Sequence, residues 1–282
     1  MFLYGLFFFF SDLHSLPALL VKMVELREVG MMQVMDSCKS EVFNWTELLL
    51  SSQYYLSFYI GAALNMSPRF YHKSLQRSHL KVKFSLGCVG KTSAIIICEI
   101  FHPNWNESVL TEINKVVLID IRTRKPTPFP QWFLDKYQGK GVMENISFRL
   151  EKIERPTKTF LHCVQIMWSD TDSNAHTNFA SYSKYAIDVL HLGLYLKSKP
   201  PSNQLDYRNL SALDGITEDV VRCGLKNVKI NFINESVEAE IIHVHVWKQE
   251  GPEFVILCSI EKENGLCICQ LSLEYFKINS SL

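Results

Sequence analysis

Several absences narrow this sequence before any motif is considered. There is no excess of either charge. Lys plus Arg number 29 and Asp plus Glu number 29, so its global electrostatics recruit neither nucleic acid nor an anionic membrane surface. No C-x-x-C pair occurs among its eight cysteines (Cys38, Cys88, Cys98, Cys163, Cys223, Cys258, Cys267 and Cys269), which argues against zinc-ribbon and thioredoxin-type spacings. Several of these lie in apolar runs such as "AIIICEI" and "VILCSI", where a free thiol behaves as a small hydrophobe. A reducing, intracellular compartment (cytoplasm or organelle) is therefore expected, with no disulfide framework and no metal site. The apolar start "MFLYGLFFFF" covers ten residues, short of the roughly 20 that a spanning helix needs. No Lys or Arg precedes Lys22 and no small-residue cleavage site follows, so the run reads as a hydrophobic element rather than a secretory signal. Residues 1–40 receive no further assignment. What is present is core-forming material: 47% of the 282 residues are hydrophobic and 12% aromatic, enough for one large domain or two smaller ones.

Two halves are separated by a stretch rich in breakers, "RTRKPTPFPQWFLDKYQGKGVMEN", residues 122–145. Pro126, Pro128 and Pro130 alternate there, with Gly139 and Gly141 behind them, a composition that ends strands and favours linker backbone. The division expected is an N-terminal domain over 41–130, a linker over 131–150 and a C-terminal domain over 151–282. In the second half, 160–168 reads as a strand and 179–197 as a helix with near-helical apolar spacing at Phe179, Tyr182, Ala186, Val189 and Leu190. Four strand-like runs follow at 225–234, 237–247, 253–261 and 267–276. Alternation is plain in "VKINFI" and "IIHVHVW", and "KENG" is a turn between two of the runs. The first half repeats the end of this pattern at 79–87, 91–101 and 111–121. Residues 45–64 are apolar enough for a buried helix, yet their poor periodicity leaves a strand equally open. Two copies of a long helix packed on an antiparallel sheet give an α+β chain with a tandem, or double, hotdog architecture.

Chemistry concentrates in "WSDTDSNAHTNFASY", residues 168–182. Asp172, Asn174 and His176 alternate immediately before the helix, so their side chains can converge. The helix start adds backbone N–H groups near Asn178 and a partial positive charge suited to a developing oxyanion. Singly, an Asp or Asn here is a turn former or N-cap and a lone His a structural residue; together they point to a reaction centre. Glu235 in "INFINES" ends a strand, and facing the same helix start it can hold and deprotonate a water. Ser236 beside it lacks any evident activation and reads as a bystander. His243 and His245 in "HVHVW" read as a polar strand face, and the "IRTRK" cluster at 121–125 as solvated charge.

These residues resemble the C-terminal hotdog of the plant and bacterial acyl-acyl carrier protein thioesterases. That family carries W-S-D-x-D-x-N-x-H-V-N-N-x-x-Y, followed by L-K-x-[IV]-x-[LI]-x-[YF]-x-x-E-[CS]; "LKNVKINFINES" at 225–236 matches the second segment. The resemblance implies catalytic roles for Asp172, Asn174, His176 and Glu235, and substrate contacts for Asn178 and Tyr182. Two departures stand out: Phe179 replaces the family's second Asn, and Ser236 stands where many members have Cys, which disfavours a thiol nucleophile. Lys73 falls where Glu235 falls in the second half, which implies a substrate-binding first half without its own centre. The implied activity is hydrolysis of a fatty acyl thioester of acyl carrier protein or coenzyme A, within fatty acid biosynthesis. It requires no cofactor, no nucleic acid and no membrane, and allows a homodimer. Water activated by Glu235 and a nucleophilic Asp172 forming an anhydride both remain open. The competing readings are a hotdog that only binds acyl thioesters, and an enoyl-thioester hydratase. The latter's D-x-N-P-x-H segment differs from this one in its proline and in the His spacing.

Overall fold

Period-two burial is the dominant local signal in the computed structural model, which describes residues 45–72, 75, 80–143, 151–172, 175–198, 209–251 and 253–277. Residues 1–40, Lys73 and Asn174 lie outside them. The described residues divide into two units, 45–63 with 75 and 80–143, and 64–72 with the described residues from 151 to 277.

In the first unit the order is α1 (Trp45–Leu50), β1 (Tyr55–Met66, its last three residues counting with the second unit), β2 (Lys81–Val89), β3 (Ser93–Phe101), β4 (Ser108–Asp120), β5 (Lys125–Pro126) and α2 (Gln131–Tyr137). The stretch 45–64, open between helix and strand on sequence, is a short helix followed by a long strand. The sheet order is β2-β3-β4-β1, with β5 on β4. Register pairs Ile96 with Leu86 on one side and Asn114 on the other, and Ala94 with Val116. Leu48 of α1 and Phe133 and Tyr137 of α2 pack with Ala94, Ile96, Val116 and Leu118.

Helix α2 corrects the linker expected over 131–150. Pro130 occupies its N-cap and Gly139 lies just past its end with φ 74°, the start-and-stop pairing that proline and glycine favour. Its Phe133 is fully buried and stacks on Phe129 at 4.8 Å. The chain then runs along β2, with Val142 N donating to Leu86 O and Met143 N to Gly87 O. A side chain at Gly141 would collide with the Gly87 carbonyl. A long helix, expected in each half, is not among the described residues of this unit, whose helices have six and seven residues.

The second unit contains β6 (Phe160–Gln165), the 20-residue α3 (Phe179–Ser198), α4 (Glu218–Arg222), β7 (Leu225–Phe232), β8 (Ile241–Lys248), β9 (Val255–Lys262) and β10 (Cys267–Tyr275). Its antiparallel sheet runs β7-β10-β9-β8-β6, so β7–β10 follow the same order as β1–β4 of the first unit. One face consists of Val228 and Ile230 of β7, Leu271 and Leu273 of β10, Cys258 and Ile260 of β9 and Val244 and Val246 of β8, all fully buried. Helix α3 packs against β6, β8, β9 and β10 and the 3-10 turn Leu210–Leu213. This is the long helix on an antiparallel sheet expected of a hotdog. At the start of β7, Gly224 holds φ 87° beneath the Tyr71 ring, whose hydroxyl accepts from Leu225 N at 2.7 Å and donates to Leu225 O at 2.9 Å. No helix among the described residues is long and apolar enough to cross a membrane, and the seven cysteines described form no disulfide.

The opposite face of this sheet is polar yet buried. Gln270 exchanges hydrogen bonds with the backbone of Ile153, Arg155 donates to Glu261 at 2.7 Å, and Thr159 meets His245 Nδ1 at 2.9 Å. Residues 151–159 thus strap the face that β8, β9 and β10 present. Burial lowers the His245 pKa to about 4, reinforced by the charge of Arg155 and opposed by Glu261. An unfolded histidine titrates near 6.5. Between pH 6.5 and 4 the unfolded chain therefore binds a proton that the folded chain refuses, and stability falls as the pH drops through that window. Urea midpoints measured from pH 7.5 to 4 should fall, and His245→Asn, which cannot titrate there, should flatten part of the decline. An identical slope in both proteins would remove His245 as its source.

Candidate active site

The sequence builds the site from two short turns that are tied together. After β6, the 3-10 turn Trp168–Asp170 is closed by Met167 N donating to Asp170 Oδ2 at 3.1 Å. The described residues on either side of 173–174 are then tied together. Thr171 pairs with Thr177, Asp172 N donates to His176 O at 2.8 Å, and Ala175 N to Asp172 O at 3.0 Å. Ala175 takes the left-handed conformation, φ 59°, which an alanine adopts only at a cost. The exposed Asp172 accepts the His176 N–H at 3.3 Å, so its carboxylate braces the turn that carries the imidazole.

The second turn follows β7. Ile233 N and Asn234 N both donate to Ile268 O, and Asn234 Nδ2 donates to Cys267 O at 2.7 Å. These bonds end the strand and bring residues 235–237 alongside 176–177. His176 pairs with Val237 in a β-bridge, and Thr177 N donates to Ser236 O at 2.8 Å. The result is the expected meeting of residues 59 positions apart: Glu235 Oε2 lies 3.6 Å from His176 Nε2. That separation exceeds an ordinary hydrogen bond and suits a contact that tightens when substrate is present. The His176 side chain is mostly covered while that of Glu235 remains 40% exposed, so the carboxylate has access to water. Asp172, His176 and Glu235 are therefore gathered at one place.

Asn178 is the N-cap of α3. Its Oδ1 accepts from Ala180 N at 3.0 Å, its O accepts from Ser181 N, and its own N–H donates to Asp170 O at 2.8 Å. The Asn178 N–H itself is therefore not an oxyanion donor. The N–H groups of Thr177, Asn178, Ala180 and Ser181 are engaged by the protein, because a buried helix start has to satisfy its own donors. Tyr182 is buried on the first turn of α3, and its hydroxyl lies 2.8 Å from Ser236 Oγ. Burial raises its pKa to about 12. No group of His, Cys, Asp and Glu among the described residues is arranged to hold a metal.

One residue important here was missed on sequence. Asp170, only 5% exposed, accepts from Met167 N and from Lys184 Nζ at 3.2 Å, while its carbonyl takes Asn178 N and Ser181 Oγ. Burial is the largest influence on its carboxyl and pushes the pKa up. The Met167 N–H, the nearby Tyr185 hydroxyl and Lys184 together outweigh it and hold the group below the usual carboxylate range. The available signal was an Asp two residues into a turn directly preceding a helix, with a Lys on that helix's second turn.

No family model and no curated protein matches this sequence. Solved structures do. A putative oleoyl thioesterase from Lactobacillus plantarum is 13% identical with a TM-score of 0.69, covering 99% of this chain and 96% of its own. A 12:0-ACP thioesterase from Umbellularia californica is 12% identical with a TM-score of 0.67, over 98% and 96%. An acyl-ACP thioesterase from Bacteroides thetaiotaomicron is 10% identical with a TM-score of 0.65, again over 98% and 96%. At these identities the likeness is one of fold, and the fold is the α+β double hotdog.

The two partners in the Asp170–Lys184 pair should differ in weight, because the carboxylate is buried and the Lys184 side chain is 48% exposed. Asp170→Ala should cost about 2–3 kcal/mol in urea unfolding, since it removes charge-assisted bonds from a buried turn. Lys184→Ala should cost no more than about 1 kcal/mol. Equal losses would mean that the ion pair, not the turn closure, is what matters.

Proposed function

We propose that this chain is a thioester hydrolase that releases a fatty acid from an acyl-acyl carrier protein or acyl-coenzyme A thioester. The observation that carries the reading is the approach of Glu235 to His176, on a turn braced by Asp172, at the mouth of a long buried helix. That three solved thioesterases share this fold over nearly the whole chain supports it. The second unit is the catalytic one, and the first serves substrate binding.

In this mechanism Glu235 takes a proton from a water whose oxygen attacks the thioester carbonyl carbon. The C–O bond forms, a tetrahedral oxyanion results, and its collapse breaks the C–S bond. The leaving sulfur receives the proton held by Glu235. His176, beside Glu235, positions the water or the carbonyl; Asn174 shares that role. Asp172 keeps the His176 turn in place. The helix start contributes its partial positive charge, while the N–H groups of Thr177, Asn178, Ala180 and Ser181 are held by the protein. The other route in the same site has Asp172 attack the carbonyl, giving an anhydride that water then opens.

Purified protein incubated with acyl-coenzyme A and acyl-acyl carrier protein substrates of varied chain length should liberate free thiol. A hydratase would change the acyl group without releasing thiol, and a binding protein would do neither. Glu235→Gln keeps shape and hydrogen bonding but loses basicity, so kcat should fall by about 10²-fold or more; undiminished turnover would eliminate Glu235 as the base. A single turnover in heavy-oxygen water should leave the Asp172 side chain unlabelled. Label in that carboxylate would replace water attack by the anhydride route.

A further inference from the structure

The hydroxyls of Thr177, Ser236 and Tyr182 form a connected set beside the Glu235–His176 pair. Thr177 Oγ1 reaches the Ser236 carbonyl at 3.1 Å and lies 2.8 Å from Ser236 Oγ. Ser236 Oγ in turn lies 2.8 Å from the Tyr182 hydroxyl. Each hydroxyl carries one proton and accepts as well as donates, so either direction around the set leaves Ser236 Oγ between two other hydroxyls. Thr177 and Ser236 are buried, the latter completely.

Two members of this set lie one residue from the proposed reacting groups. Thr177 follows His176, and Ser236 follows Glu235. The Thr177 N–H and hydroxyl both bond the Ser236 carbonyl, so the two backbones are clasped at the point from which the imidazole and the carboxylate project. Tyr182 fastens the clasp to α3. We propose that Tyr182, Ser236 and Thr177 are positioning residues that set the Glu235–His176 distance for thioester hydrolysis, and that Ser236 is neither a nucleophile nor a bystander. This deepens the thioester-hydrolase reading and rests on it. Ser236 Oγ is bonded to a threonine hydroxyl and a tyrosine hydroxyl, neither of which is a base. Activation as a nucleophile needs an adjacent base to take the proton. The same geometry gives Tyr182 a role different from the substrate contact implied by resemblance, since its hydroxyl is committed to Ser236.

Tyr182→Phe deletes one hydroxyl and nothing else, and its effect can be read in two independent ways. In steady-state hydrolysis of acyl-coenzyme A, kcat should fall about 10-fold with KM within twofold. Introduced into Glu235→Gln, the same change should lower the residual rate by less than twofold, because the group being positioned is already disabled. Equal losses in both backgrounds would assign Tyr182 to general stability, and a raised KM with unchanged kcat would assign it to substrate contact; either overturns the proposal. The second readout needs no catalysis. Amide exchange at Thr177, whose N–H bonds Ser236 O, should accelerate about 10-fold in Tyr182→Phe while amides in β9 keep their protection. Unchanged exchange at Thr177 would sink the clasp even if hydrolysis is found. Accelerated exchange in a protein that hydrolyses no thioester would leave the clasp standing and remove the activity it was inferred to serve. Ser236→Thr, which retains a hydroxyl, should keep more of both properties than Ser236→Ala.

Discussion

The second unit depends on the need to bury α3 almost all the way round. Among its residues only the stripe Lys184, Asp188, His191 and Tyr195, with the C-terminal Lys197 and Ser198, is exposed. A helix so placed cannot be moved without exposing Ala186, Val189, Leu190 and Leu194 on one side or opening a gap above Val244, Cys258 and Leu271 on the other. Each large apolar side chain returned to water costs roughly 1.5–3 kcal/mol. The helix is thereby fixed along its axis as well as against the sheet, and the position of its first turn follows. Polar groups carried inward with it have to be satisfied locally, and the N-cap Asn178, Asp170 and the hydroxyl clasp do most of this. Ser183, fully buried with no hydrogen bond to its hydroxyl among the described residues, is where the accommodation is incomplete.

The other face of the same sheet is held by a different kind of force. Residues 151–159 lie across it through side-chain-to-backbone and ionic bonds to Gln270, Glu261 and His245 rather than through apolar packing. Such contacts contribute modest net stability, but each is expensive to leave half-made. They therefore select one register for the strap where hydrophobic contacts would tolerate sliding. Since β6 begins immediately after the strap, fixing 151–159 also fixes where β6 starts beside β8. The turn that carries Asp170 and Asp172 is placed by that edge strand at one end and by α3 at the other.

Much of this was legible in the sequence, for a physical reason. Strands with one buried face advertise themselves by alternation, and β7 through β10 fall within a few residues of the runs read from "VKINFI" and "IIHVHVW". Helix α3 was bounded nearly to the residue because its apolar spacing is dense and its cap follows a polar loop. What could not be read was anything carried by contact across long separations between residues of ordinary type. Thr177, Ser236 and Tyr182 are common core and turn residues, and only folding brings 236 to within 2.8 Å of 182. Helix α2 was obscured differently. Its seven residues are flanked so closely by prolines and glycines that composition outvoted the aromatic pair Trp132 and Phe133. The proline before and the glycine after were helix punctuation rather than linker.

The paired aspartates of "WSDTD" show how position, not residue type, divides structural from chemical work. Asp170 is enclosed by the 3-10 turn, by Lys184 and by the start of α3, and its bonds hold it ionised despite burial. Two residues later, Asp172 stands at the surface and spends one oxygen on the amide of His176. A carboxylate that is buried and closely bonded is a fixed charge; one that stands exposed can still meet a substrate. The same division separates Ser236 from Glu235. The serine is fully buried with its hydroxyl bonded to Thr177 and Tyr182, and the neighbouring carboxylate is turned outward toward His176. In each pair the inner residue makes the outer one's position definite. A site assembled from two irregular turns can then hold its reacting groups as closely as one built on regular strands.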